Sequence, residues 1–147
     1  MEIIDVKAGK RIHSIKVVTS RVTGGPQANF PMALDEANHR LIIVCRTPAR
    51  MVVLDTATGK VIASIPTVGD CDDVFYDQAR KRIYAIGGEG AISVVQQQDA
   101  DHYKEIAKIA TVTGARTGFF SPELDRLLVA VRKQGPQSAE IRIYALK

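Results

Sequence analysis

Three stretches of this chain superimpose on one another, and no other feature of the sequence restricts the possible folds as much. They are Phe30–Leu41 (FPMALDEANHRL), Asp72–Ile83 (DDVFYDQARKRI) and Arg116–Leu127 (RTGFFSPELDRL). Each is an apolar run, a polar turn, then an Arg and a second apolar run. Asp35, Asp77 and Ser121 fall at equivalent positions, so the steps are 42 and 44 residues. A fixed period of ~40–50 residues carrying several short strands means that one supersecondary unit recurs, and the unit that fits is the four-stranded blade of a β-propeller.

A second repeated phrase supplies the other half of the blade. Residues 3–10 (IIDVKAGK) match residues 53–60 (VLDTATGK), with Gly9 and Gly59 each four residues after Asp5 and Asp55. An Asp side chain bonds a backbone N–H two residues on, and Gly supplies the positive φ that closes a hairpin. Both phrases therefore predict strand-to-strand turns. Strands A, B, C and D then follow in order. Strand A is expected near 30–34, 72–76 and 116–120, and strand B near 41–45, 83–86 and 127–131. Strand C is expected near 2–5, 51–55, 91–96 and 140–145, and strand D near 11–17, 61–66 and 103–110.

Strands B and C are almost continuously apolar, as in Leu41–Val44 and Met51–Leu54, which implies burial on both faces between neighbouring blades. Strand D mixes Arg11, His13, Ser14 and Ser64 among its aliphatics, as an outermost strand should. Two segments carry a competing local signal. Ser121, Pro122 and Glu123 resemble a capped helix start, and Asp101–Ala110 has tolerable helical spacing. The alignment of Ser121 with Asp35 and Asp77 makes the first a hairpin turn, and Asp99–Tyr103 is read as a lengthened C–D loop.

The expected fold class is thus all-β, a β-propeller segment spanning 1–147 with about three four-stranded blades. It divides into strands C and D of one blade (1–20), two complete blades (29–66 and 72–110), and strands A to C of another (116–147). Propellers close with roughly four to eight blades. Either these blades belong to a longer ring or several copies complete one. Self-association or a missing N-terminal half is expected, with terminal sheet faces exposing residues such as Val52, Leu54, Val129 and Val131.

Composition excludes some function classes. No stretch approaches the ~20 apolar residues of a membrane-spanning helix. The net charge of +4 comes from dispersed residues, and its one tight run, Arg80-Lys81-Arg82, sits in an A–B turn. With 5% aromatics and no basic helix or stacking platform, nucleic acid is not an expected partner.

With the strands placed, the phrases Asn29–Asp35, Val53–Lys60, Ala79–Tyr84 and Gly114–Thr117 resemble the bacterial YVTN-repeat, YncE-like β-propeller proteins, over essentially the whole chain and matching the C-terminal half of such a protein. The resemblance implies a seven-bladed ring, a periplasmic or secreted location where an upstream signal exists, and no particular activity, since the blade motif specifies fold and not chemistry. It also implies that an N-terminal strand completes the last blade, as a chain ending near strand C with Ile141–Leu146 would need. The turn Asp55–Lys60 is also similar to repeats of quinone-cofactor dehydrogenase propellers, which dock blades with tryptophan. This chain has no Trp, and no cofactor is expected.

Propeller geometry puts the D–A and B–C loops at one end of the ring, where a rigid scaffold can present binding groups. Asn29, Arg46, Asp72, Asp73 and Arg116 are the candidate ligand-binding residues, with Arg50, Asp70, Glu89, Thr117 and Arg132 on the same surface. Asp70, Asp72 and Asp73 form the densest carboxylate cluster, suited to a hard cation or to acid–base work. The position where a calcium loop would need Glu is Lys81, however, and Arg116 stands where a third blade should offer oxygen. A guanidinium at ~4 Å opposes a cation by about 4 kcal/mol per charge at intermediate dielectric. No metal site is therefore expected, and an anionic ligand or an Arg–Asp pair is.

Gly87–Gly90 lacks the Lys-Ser/Thr and helix of a phosphate loop and reads as a tight B–C turn. Cys45 and Cys71 lie at one end of the ring, which leaves both a disulfide and two buried thiols open. His13, His39 and His102 fall on an outer strand, an A–B turn and a C–D loop, so no Ser-His-Asp or Cys-His set assembles and no catalytic residue is assigned. The reading favoured is a non-enzymatic binding or interaction module for a small polar or anionic ligand or a protein. The alternative is a metal-dependent hydrolase of the lactonase-type propeller class.

Overall fold

The computed structural model describes residues 2–5, 10–14 and 27–146, and side chains from residue 28 onward except that of Asn29. The expected turn at Gly9 and the end of the strand beyond residue 14 lie outside the described residues. All regular structure among the described residues is β-strand, in four antiparallel sheets. The first is a pair, β1 (Glu2–Asp5) and β2 (Lys10–Ser14). Sheet 1 runs β3 (Gln27–Asp35), β4 (Arg40–Thr47), β5 (Ala49–Asp55), β6 (Val61–Pro66), each strand beside the next. Sheet 2 repeats that order with β7 (Cys71–Asp77), β8 (Arg82–Gly87), β9 (Ala91–Gln97) and β10 (Tyr103–Ala110). Sheet 3 has β11 (Thr117–Ser121), β12 (Arg126–Val131) and β13 (Glu140–Ala145).

The three superimposable phrases fold alike. Asp35 pairs with Arg40, Asp77 with Arg82 and Ser121 with Arg126, each pair closing an A–B hairpin. In every case the first side-chain oxygen accepts the backbone N–H three residues on: Asn38 at 3.2 Å, Arg80 at 3.1 Å and Leu124 at 3.3 Å. The fourth residue is left-handed in all three, with φ of 56° at His39, 51° at Lys81 and 53° at Asp125. Ser121 and Pro122 thus build a turn although their local pattern suits a helix. Likewise β10 pairs along β9 despite its helical spacing, because ladder bonds and burial of Tyr103 outweigh weak local propensity.

Each sheet has a trailing face toward the preceding sheet and a leading face toward the following one. The leading face of sheet 1 (Ile42, Val44, Met51, Val53) packs on the trailing face of sheet 2 (Val74, Ile83, Ala85, Val95) in one core. The leading face of sheet 2 (Tyr84, Ile86, Ile92, Val94) packs on Leu127, Val129 and Val131 of sheet 3 in a second. Gly118 enables the close approach: a Cβ there would lie 2.3 Å from the Ile86 Cδ1 and 2.6 Å from the Leu128 carbonyl oxygen. Phe120 beside it sets its ring against Phe75 and Tyr84, at 6.4 and 5.8 Å between centroids. Burying such side chains contributes about 1.5–3 kcal/mol each, which ties the sheets face to face as blades.

One expectation needs correction. Val52, Leu54, Val129 and Val131 are not exposed; they are 0–3% accessible. Alternation along β12 turns Val129 and Val131 toward sheet 2, and Val52 and Leu54 join Leu41, Ile43 and Cys45 in a third buried cluster. The apolar groups exposed on the leading face of sheet 3 are instead Phe119, Ile141 and Ile143. The cysteine alternatives also resolve. Both thiols are free and buried, because Cys45 belongs to the cluster on the trailing face of sheet 1 while Cys71 belongs to the core on its other face.

Candidate functional site

Strand order places the D–A and B–C loops at one end of the sheets, where four charged side chains meet. Arg46 is the next-to-last residue of β4 of sheet 1, Asp70 and Asp72 flank the start of β7, and Arg116 immediately precedes β11. Arg46 Nη2 donates to Asp72 Oδ1 in a short contact, and its Nη1 lies 3.6 Å from Asp70 Oδ1. Arg116 closes the circuit from the other side, with Nη1 2.6 Å from Asp70 Oδ2 and Nε 2.8 Å from Asp72 Oδ2. Each carboxylate thus bridges the two guanidinium groups, and the ring joins loops of three successive sheets. Two positive and two negative charges cancel within it.

Local chemistry holds the ring in place. Asp70 adopts a left-handed backbone with φ of 52°, which Asp tolerates better than most residues. Gly88 leaves room for its carboxylate: a Cβ on Gly88 would sit 2.1 Å from Asp70 Oδ2. Below Arg46, the Phe30 ring lies 3.9 Å from the guanidinium carbon, a cation–π contact worth ~0.5–1 kcal/mol at an exposed site. Arg46 Nε also donates to the Cys71 carbonyl at 3.3 Å. The Cys71 thiol is pushed up to about 12, chiefly by burial, so at neutral pH it is a protonated core group and not a nucleophile.

The expected site residues therefore divide. Arg46, Asp72 and Arg116 converge. Asp73 turns away, because the bulge between Cys71 and Asp73 swings its carboxylate toward sheet 3, where Oδ2 accepts the Gly118 N–H at 2.8 Å. Asn29 lies on β3 opposite Cys45, and its side chain is outside the described residues. Of the wider surface set, Arg50 is tied to Ser64 of its own sheet and Glu89 to the Gly69 N–H. Asp70 and Phe30 complete the site and were not among the five candidates. For Asp70 the usable signal is its place in the Asp70/Asp72/Asp73 cluster.

An open cleft of about 570 Å³ adjoins the ring. Asp72, Arg116, Arg132 and Glu140 make its polar rim, over Ala130 and Ile141. Arg116 donates from Nη1 to Asp70 and pairs through Nε with Asp72, while its Nη2 has no hydrogen bond among the described residues, and the side chain is 39% exposed. Arg132 makes no ion pair among the described residues and lies against Gly114, whose added Cβ would be 3.2 Å from its Nε. Glu140 is paired with Arg142 at 2.7 Å. The charge left unbalanced at the rim is therefore positive. Among the described residues no cluster of three or more His, Cys, Asp or Glu side chains is placed to hold a metal ion.

No family model matches the chain, and no curated protein matches it by sequence. Among solved structures it is similar to hydrazine synthase of Kuenenia stuttgartiensis, with a TM-score of 0.76 at 15% identity over 98% of this chain and 39% of that one. It is also similar to a eukaryotic initiation factor, with a TM-score of 0.61 at 21% identity over 85% of this chain and 31% of that one. The chain spans less than two-fifths of either. At these identities the likeness is one of fold, and with the sheet order above it makes this an all-β chain of propeller blades.

Proposed function

We propose that this chain is a YVTN-type, YncE-like propeller segment acting as a non-enzymatic binding module, with ligand contacts on the face formed by the D–A and B–C loops. The observation that carries the reading is the state of Arg116. Asp70 and Asp72 hold its guanidinium in a fixed plane, while Nη2 remains available at the edge of an open cleft. A guanidinium fixed in this way is suited to a carboxylate or phosphate group, since its geometry is set before the ligand arrives. Arg132 across the rim adds positive charge, so the ligand class is a small polar anion. Both carboxylates of the ring are already matched by guanidinium groups, which leaves no unneutralised acidic centre asking for a cation.

The test is titration calorimetry with inorganic phosphate and with acetate as probes. The unaltered chain should bind at least one of them, and Arg116→Ala should weaken that binding at least tenfold while shifting the melting temperature little, because exposed ion pairs contribute only ~0–1 kcal/mol. Equal binding by both proteins would reduce Arg116 to a loop-fixing ion pair.

A further inference from the structure

The pair β1–β2 has the register of the outer half of a blade. Ile3 stands opposite His13 and Ile4 opposite Arg11, so the ladder skips one residue of β2. In sheet 1, Val53 stands opposite Ala63 and Leu54 opposite Val61, and in sheet 2 Val94 stands opposite Ala107 and Val95 opposite Glu105. The skipped residue is an isoleucine each time: Ile12, Ile62 and Ile106. A bulge fixed at one repeat position identifies the same element three times, so β1 and β2 match strands C and D. Among the described residues this pair forms a two-stranded sheet of its own, and a lone hairpin is marginally stable in water at best. It therefore needs a face to pack on.

Sheet 1 offers such a face. On its trailing side Leu41, Ile43, Cys45, Val52 and Leu54 are 0–8% exposed, yet the cluster they form includes no residue of sheets 2 or 3. Burial on this side stops short of the inner strand, where Met32 and Leu34 of β3 are 55% and 48% exposed. In sheet 2 the equivalents of Met32, Leu41, Ile43 and Leu54 are Val74, Ile83, Ala85 and Val95, all buried against sheet 1, which has all four strands. A cover that hides strands B and C but leaves strand A open has the extent of half a blade. We infer that β1–β2 is that cover, stacked on the trailing face of β4 and β5 as β5 and β6 stack on sheet 2. The repeat also fixes which way the pair faces. Ile3 stands at the position of Val53, which packs forward on sheet 2, and Ile4 at that of Leu54, which belongs to the opposite face. Cys45 then lies beneath the cover, whereas Cys71 lies between sheets 1 and 2.

The two thiols, one under each contact, supply the test. The whole chain is treated with iodoacetamide under native conditions, and each cysteine is followed by peptide mass. In the unaltered protein both should label slowly. Ile3→Lys should speed labelling of Cys45 at least tenfold and leave Cys71 slow, while Ile4→Lys, on the far face of β1, should leave both slow. If Ile3→Lys loses the circular dichroism spectrum of the parent, Ile3→Ala takes its place and should favour Cys45 over Cys71 in the same way. An unaltered protein whose Cys45 labels rapidly while Cys71 does not overturns the inference, since the face would then be open. So does a folded Ile3 variant whose Cys45 labels as slowly as in the parent, or one in which both cysteines speed up equally. Release of Cys45 by Ile4→Lys and not by the Ile3 variant also overturns it, since the pair would then face the other way.

Discussion

Asp35 is 1% exposed, yet its carboxylate is held below its ordinary 3.8. Burial works to raise it, but hydrogen bonds from Gln97 Nε2 at 2.7 Å, Asn38 Nδ2 at 2.8 Å and the Asn38 N–H at 3.2 Å together outweigh that penalty. Gln97 Oε1 in turn accepts the Tyr76 hydroxyl at 2.6 Å, and burial first, then the Asp35 charge, pushes Tyr76 up to about 12. The two groups act at opposite ends of the pH scale. A depressed carboxylate stabilises the fold above its unfolded value and loses that contribution as pH falls below 3.8 and through the folded value. A raised phenol stabilises below its unfolded value near 10 and loses the contribution as pH rises toward 12. Urea midpoints should therefore hold a plateau between about pH 5 and 9 and fall on both sides. Asp35→Asn should flatten the acid limb and, by mismatching a buried acceptor, lower neutral-pH stability by about 1–3 kcal/mol. An acid limb identical in parent and variant would mean that other carboxylates govern it.

The A–B hairpin is the element most legible in the sequence, because its determinants are local. An Asp or Ser bonding the N–H three residues on, followed by a left-handed fourth residue, recurs at a fixed step and outweighs the helical signal at Ser121. That fourth position holds His39, Lys81 and Asp125, none of them glycine, at a backbone angle costing L-residues about 1–2 kcal/mol. Lys81 is exposed and its side chain has no partner among the described residues, so Lys81→Gly should stabilise by about 0.5–1 kcal/mol after the entropic cost of glycine. Lys81→Val should destabilise, and a melting order other than Gly above Lys above Val would show that the turn is not strained there. Strand faces were less legible. In β12, Leu127, Val129 and Val131 alternate with Leu128 and Ala130, so both faces are apolar and the sequence does not say which meets sheet 2; a one-residue shift exchanges them. The candidate site was legible as a surface and not as a constellation. The bulge that separates Asp73 from Asp72, and the left-handed Asp70 that completes the ring, arise where loops of neighbouring sheets meet, beyond the reach of local pattern.

Across the whole molecule, sheet 2 is held on both faces by the two large cores, while sheet 3 is covered on its trailing face alone. In a stack of repeats, stability is set by each unit and its nearest-neighbour contacts, and regions with fewer buried contacts open first. Hydrogen exchange on dilute protein should accordingly be slowest in β8 and β9 and faster in β12 and β13. Leu127→Ala removes a fully buried side chain from the sheet 2–sheet 3 core, at a cost of about 2–5 kcal/mol. Most of that loss should appear as faster exchange in β11 to β13 while β4 and β5 keep their protection. Uniform acceleration of every strand by Leu127→Ala would instead mean that the three sheets unfold as a single cooperative unit, with sheet contacts too strong for any one blade to open alone.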